Sequence, residues 1–239
     1  MLANQLRRYG GGAAFAVGIM GLLAILFTIL FFAFEAPQAV KDIAQGITRF
    51  YPFGFLSDLL PILASLSAWV VIVVLYQLER KGAPQLSAVA ALLGIAGNLG
   101  MAVGGILIML HDITGAHTIT VMEQILITLM SSGPLGLWQI LVSYRARRDG
   151  LLPSRLTGFG ILLGAGQLAA FVMLSLFGGW SAAASSSPAV ILSNYPLLIS
   201  LVMGVGGGLV GYIGAPVWAI WLGRVFLFTK VTEASASTA

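Results

Sequence analysis

The sequence predicts an all-helical, polytopic transmembrane bundle: six spans, both termini cytoplasmic, in a membrane of the bacterial inner-membrane type. Three observations predict it. First, 59% of the 239 residues are apolar and 8% are charged, with a mean hydropathy of +0.99. Soluble domains run nearer one quarter charged, so these few charges cannot cover a water-facing surface of this size. Second, six apolar stretches reach the ~20 residues that a spanning helix needs: about 12–34, 55–78, 86–110, 119–143, 157–178 and 202–227. Third, the basic residues are asymmetric. With the N-terminus inside, the inner segments hold Arg7, Arg8, Arg80, Lys81, Arg145, Arg147, Arg148, Arg155, Arg224 and Lys230, and the outer segments hold only Lys41 and Arg49. Positive charge stays on the cytoplasmic side. A seven-span arrangement would move Arg224 and Lys230 outside and is disfavoured.

The first span follows Arg7 and Arg8 and resembles a signal peptide at its start. Its apolar run is about twice the length of a signal h-region, and Pro37 directly follows the plausible cut at Ala36, so the segment reads as uncleaved. Residues 36–53 form the longest outer segment. Val40, Ile43, Ala44, Ile47, Phe50 and Tyr51 recur at helical spacing, with Lys41, Asp42, Gln45, Thr48 and Arg49 between them. This predicts an amphipathic helix over about 37–51, with Pro37 in its first turn. The pattern suits a helix lying flat at the outer interface; a lid over the bundle is the alternative.

The fourth span is the most informative. Gln124, Thr128, Ser131, Ser132, Gln139 and Ser143 fall within an arc of about 120° at 100° per residue. Unpaired polar groups in hydrocarbon cost several kcal/mol, so the stripe must face the bundle or a wet cavity. Pro134, beside Gly133, releases a backbone carbonyl one turn earlier, and Gly214-Ala215-Pro216 predicts a similar break in the last span. Interrupted helices point to binding sites in transporters. Asn98 and Gln167 are the other deep polar side chains. Ligand or pore residues are therefore sought among Asn98, Gln124, Thr128, Ser131, Ser132, Pro134, Gln139 and Gln167. The plainer reading is hydrogen bonding between helices with no ligand.

After the fifth span, residues 181–188 are rich in Ser and Ala and read as an outer loop. The apolar run from Pro188 to Leu201, interrupted by Asn194 and Pro196, reads as a half-helix leading into the last span. A weak internal repeat joins LYQLERKGAPQLSAVAALLGIAG, from Leu75, to LVSYRARRDGLLPSRLTGFGILLGAG, from Leu141. Pro84 matches Pro153 and, with a one-residue gap, Gly94 matches Gly164. Duplication of a hairpin and simple convergence of two turns both account for it. Glycine is abundant, at 30 residues. The small-xxx-small pairs Gly100–Gly104, Gly160–Gly164, Gly204–Gly208 and Gly207–Gly211 make grooves for close helix approach, within the chain or between copies of it.

Asp58, His111, Asp112, His117 and Glu123 gather near the outer ends of the second to fourth spans. His111, Asp112, His117 and Glu123 have the chemistry to hold a divalent metal, and the two His could respond to pH; polar residues belong in such a loop in any case. There is no cysteine, which excludes disulfides, thiolate catalysis and thiolate-held metals. No charge lies at the centre of a span, which argues against a pump with a buried carboxylate relay. Nucleophile-elbow, phosphate-loop and dinucleotide patterns are missing, and no cofactor is indicated.

The segments LPILASLSAWVVIVVLYQLER, LPSRLTGFGILLGAG and APVWAIWLGRVFL, about a quarter of the chain, resemble a family of small bacterial multi-span membrane proteins, the domain-of-unknown-function family 4386. The resemblance implies a six-helix bundle and no established activity, and it supplies no catalytic residue.

The leading expectation is a non-enzymatic membrane protein, a structural or accessory subunit or a small-ligand-binding bundle. A transporter or channel using the fourth-span stripe is the alternative, and an intramembrane enzyme or metal site at the outer His/carboxylate cluster is the third. Expected partners are the lipid bilayer, including anionic headgroups met by the inner basic collar, and another copy of the chain or a larger membrane complex. Nucleic acid is not expected, because no folded basic domain backs the collar.

Overall fold

The computed structural model describes residues 2–45, 47, 49–80, 82–114, 121–176 and 195–228; within these, side chains at 2–3, 43–44, 111–114, 121–130, 174, 176 and 195–205 are outside the description. Every regular element among the described residues is helical. Helix α1 (Leu2–Leu30) runs through one π-helical turn (Phe31–Glu35) into α2 (Ala36–Ala44). Then come α3 (Pro52–Glu79), α4 (Pro84–Thr114), α5 (Val121–Arg148), α6 (Ser154–Leu176) and α7 (Tyr195–Phe228). Five segments, Asn4–Asp42, Pro52–Glu79, Pro84–Leu110, Ser154–Met173 and Gly206–Phe228, are long and apolar enough to cross a membrane. Helix α5 matches them in length, but its polar residues make it less apolar.

The six long helices close into a ring. Helix α1 packs on α3, α3 on α4, α4 on α5, α5 on α6, α6 on α7, and α7 back on α1, while α3 and α5 approach each other only slightly. Every seam of the ring contains glycine. The Cβ that Gly10 lacks would lie 2.7 Å from Val74 of α3, and that of Gly105 would lie 2.7 Å from Ile62. Between α4 and α5, Gly94 faces Trp138, Gly97 faces Leu135 and Gly100 faces Ser131. Between α5 and α6 the backbones themselves meet: a Cβ on Gly164 would stand 2.6 Å from the Gly136 carbonyl oxygen. Gly207 of α7 likewise lies against the Gly166 backbone, and Gly18 and Gly21 of α1 receive Ile220 and the Pro216 ring of α7. Gly100, Gly160, Gly164, Gly207 and Gly211 thus all pack inside the chain; nothing lies within 4 Å of a Cβ built on Gly208.

Local sequence explains the turns. Helix α5 ends with Gly150 at φ 65°, a left-handed conformation natural to glycine. Leu151 N–H donates to the Ala146 carbonyl at 2.9 Å and Gly150 N–H to the Arg147 carbonyl at 3.3 Å, which is a Schellman stop. The α3–α4 turn is equally short, and Gly82 in it lies beside the Arg145 guanidinium. Both turns therefore share one end of the bundle. The start of α1 and the finish of α7 join them, since Gly11 packs on Leu227. This is the basic end, carrying Arg7, Arg8, Arg80, Arg145, Arg147, Arg148, Arg155 and Arg224.

Three expectations change. The amphipathic segment is not a separate helix over 37–51. It continues α1 without a loop and stops at Ala44, because the chain must turn back in time for α3 to begin beside Phe31, against which Gly54 rests. Two neighbouring positions also depart from a simple amphipath: Val40 is 67% exposed and Asp42 only 2%. Asp42 tolerates burial because Tyr51 Oη and Gln38 Nε2 each donate to its carboxylate at 2.6 Å, and Arg49 lies 3.3 Å away. Second, Pro134 and Pro216 sit inside unbroken helices; each removes one N–H, and the rest of the ladder carries the helix through. Third, Tyr195 to Leu201 belongs to α7 itself, with Pro196 in its first turn, where no N–H is required. The remainder of the 181–201 expectation lies outside the described residues.

Candidate functional site

The site is built on α5. Leu137 and Tyr144, 40% and 54% exposed, mark its outer face. One flank, with Leu135 and Trp138, meets α4, and the other, with Gly136, Ile140 and Ser143, meets α6. Gln139 falls between these two seams. It stands about 200° around the helix from Leu137 and is 3% exposed. The middle of the polar stripe therefore faces the axis of the ring. Ser131 and Ser143 are also buried, against Gly100 and Gly160 respectively, and Ser132 is half-buried. Pro134 is half-buried beside the α4 seam. The side chains of Gln124 and Thr128 lie outside the described residues.

The neighbouring helices add two amides. Asn98 of α4 is buried and donates from Nδ2 to the Gly94 carbonyl at 2.8 Å, within its own helix. Gln167 of α6 is wedged between α5 and α7: its Cβ is 3.2 Å from the Cβ position of Gly136, and its Cγ is 2.6 Å from that of Gly211. Its Oε1 has no hydrogen-bond partner. Buried polar atoms without partners are rare and call for a water, an ion or a ligand. Ser143 Oγ and Trp218 Nε1, on either side of Gly160, are two more.

Toward the basic end the axis is filled. Trp138 and Trp218 meet edge to face with centroids 6.1 Å apart, and Ala14, Ile72, Leu163 and Leu222 pack around them. All six long helices contribute to this core. An aromatic pair thus separates the axis-facing carboxamides from the basic end.

Beyond that aromatic floor lies a charged cluster that sequence reasoning missed. Arg145, with 6% of its side chain exposed, donates from Nη2 to Asp149 at 2.8 Å, and Glu79 beside it is buried with Oε1 unpartnered. A signal for it was present. The structure starts α4 at Pro84 and α6 at Ser154, so the repeat runs at a constant offset with no gap. Ser87 then matches Thr157, both buried, and Glu79 matches Asp149. Pairing Pro84 with Pro153 hides that correspondence.

Of the outer candidates, the side chains of His111, Asp112 and Glu123, and all of His117, lie outside the described residues. The backbone of α4 runs through His111 and Asp112 to Thr114, so these two stand on a helix and not in a loop. Among the described residues no group of three metal-ligating side chains forms.

At the opposite end from the Arg cluster, the π turn positions Glu35. Its carboxylate accepts the N–H groups of Phe53 and Gly54 at 3.0 and 3.1 Å. Tyr51 occupies the N-cap of α3 with no side-chain cap of its own, so Glu35 supplies the missing acceptor from another helix. Desolvation, then the hydrogen bond to Asp42, push the Tyr51 phenol above its ordinary range.

Comparison with protein-family models, with curated proteins and with solved structures gives no significant match. The functional reading therefore rests on the geometry of the ring and its axis.

Proposed function

We propose that the chain is a six-span protein of the bacterial cytoplasmic membrane, both termini inside, that acts as a non-enzymatic bundle binding a small ligand on its axis. The observation that carries this is the burial of Gln139 on the axis-facing side of α5, at the level of Gln167 and Asn98. The five apolar helices support a membrane setting, and the grouping of eight arginines at one end supports a cytoplasmic basic face. The sequence carries no recognised nucleophile-elbow, phosphate-loop or dinucleotide pattern, which favours binding over chemistry. The absence of cysteine makes the topology directly testable: single cysteines at Lys41 and Arg147 should react with an impermeant maleimide from opposite sides of sealed vesicles. Labelling of both from one side refutes the six-span reading. Ligand binding is tested by thermal unfolding in mild detergent against a panel of small polar solutes; a midpoint that none of them raises refutes it.

A second reading, a transporter for the same ligand, is favoured by the position of these polar groups on the axis of a closed ring, where a solute would pass. The Trp138–Trp218 floor must then part during the cycle. Uptake into proteoliposomes tests this, and saturable binding without uptake would leave the accessory or receptor role. Contact with anionic lipid at the basic end is part of either reading.

A further inference from the structure

Three carboxamides stand on three consecutive helices of the ring. Gly97 meets Leu135 and Gly94 meets Trp138, so Asn98 lies at about the depth of residue 134 of α5. Gln167 lies beside Gly136, and Gln139 is three residues further along. At 1.5 Å per residue the three are rooted within about 8 Å of depth, a span that two facing carboxamide side chains can cover together. All three occupy axis-facing positions. On α4, Asn98 continues the buried series Ser87, Ala90 and Gly94, opposite the exposed Leu92, Leu99 and Val103. On α6, Gln167 continues Leu156, Gly160 and Leu163, opposite the exposed Leu162.

Their hydrogen-bonding capacity is largely unused. Each primary amide offers two donor hydrogens and an acceptor oxygen. Asn98 has one donor committed to Gly94, Gln167 Oε1 is unpartnered, and Gln139 joins no hydrogen bond among the described residues. Leaving such groups bare in a buried setting is unfavourable. Among the described residues no charge lies in this layer: the nearest described charged side chain along α5 is Arg145, beyond the tryptophan floor. A carboxylate or ammonium entering here would shed its hydration with no opposite charge to meet it.

We propose that Asn98, Gln139 and Gln167 form a binding layer for a small neutral solute of the carboxamide class, one that presents an N–H donor and a carbonyl acceptor side by side. The assignment rests on the ligand-binding reading above and specifies its chemistry. An amide is the self-complementary partner of an amide, pairing donor to acceptor twice, and the aromatic floor of Trp138 and Trp218 offers its methyl or methylene groups an apolar seat.

The experiment titrates the detergent-purified full chain with acetamide, with its charged near-isosteres acetate and methylammonium, and with glycerol. The readouts are tryptophan fluorescence, reported by Trp138 beside Gln139, and the thermal midpoint. Acetamide should give a saturable response that acetate and methylammonium do not. Gln139→Met and Gln167→Met, which keep length and remove the amide, should each weaken the response about tenfold, the loss of one well-made hydrogen bond. Each variant is compared with wild type only where its unligated melt remains cooperative, and either single variant suffices. If acetate, methylammonium or glycerol gives the saturable response that Gln139→Met or Gln167→Met weakens, the carboxamide class is overturned while the ligand-binding reading stands. An acetamide response untouched by either substitution overturns the layer. A flat response to all four probes overturns both.

Discussion

The α5–α6 seam offers a decisive test of the packing, through Gly164. A Cβ there would stand 2.6 Å from the Gly136 carbonyl oxygen, 2.8 Å from Ile140 Cγ1 and 3.0 Å from the Ile140 nitrogen. Two of these three obstacles are backbone, which cannot rotate away, so Gly164→Ala must separate the helices by several tenths of an ångström along their length. Overpacking of this kind costs about 1–3 kcal/mol. Against it stands the usual gain of about 0.4–1 kcal/mol when alanine replaces glycine in a compatible helix. Gly158 lies on the same helix with nothing within 4 Å of its Cβ position, and Gly158→Ala isolates that gain. Thermal unfolding in one mild detergent, followed by circular dichroism, should therefore show opposite signs: Gly164→Ala melts lower than wild type, and Gly158→Ala melts level or higher. Equal midpoints for the two variants would refute the close backbone approach and, with it, the glycine-seamed ring.

Other consequences can be measured on the same material. Arg145→Ala removes the buried guanidinium that pairs with Asp149 and adjoins Glu79 at the basic end and should cost about 1–3 kcal/mol, whereas Arg147→Ala, at an exposed position, should stay within about 0.5 kcal/mol of wild type; equal melts would dismiss the buried cluster. Glu35→Ala removes the acceptor for the first turn of α3 and should cost about 1 kcal/mol, with faster amide hydrogen exchange at Phe53 and Gly54 as its local signature. Unchanged exchange there would show that the cap is not formed. Tyr51 bears on alkaline stability. Its folded phenol is raised above the ordinary value of 10.0, so its contribution is fully present below that value and is lost as pH rises through the folded one. Wild type should thus lose its margin over Tyr51→Phe as pH rises above about 10, and curves that stay parallel through the alkaline range would contradict the Asp42 bond.

Much of this was legible from residue order alone, and the reasons are physical. Apolar runs of spanning length fix helices because the chain must satisfy its own backbone, so most element boundaries fell within a few residues of the apolar limits. The α5 stripe was readable because a helical period places Gln139 and Ser143 on one arc. What periodicity does not encode is phase between helices. Nothing in the run from Val40 to Tyr51 says that Asp42 turns inward, since that depends on Gln38, Arg49 and Tyr51 arriving together. Nor does a proline say how a helix will answer it: the sequence predicts a break at Pro216, yet Gly21 on another helix makes room for its ring. The Glu79–Arg145–Asp149 cluster was hidden for a similar reason, being assembled from two turns whose proximity follows only from the slight approach of α3 and α5.

The π turn at Phe31–Glu35 has a consequence for how this chain tolerates change in length. A wide turn holds one more residue than a regular one, and that surplus rotates whatever follows by roughly 100°. Gly10, Gly18 and Gly21 need one azimuth to seat against α3 and α7, while Glu35 needs another to reach the start of α3. The surplus residue reconciles the two, like a vernier between two scales. Removing one residue from 31–35 should therefore leave a perfectly good helix that has lost its aim, and an insertion further back in α1 could be forgiven by letting the wide turn migrate to absorb it.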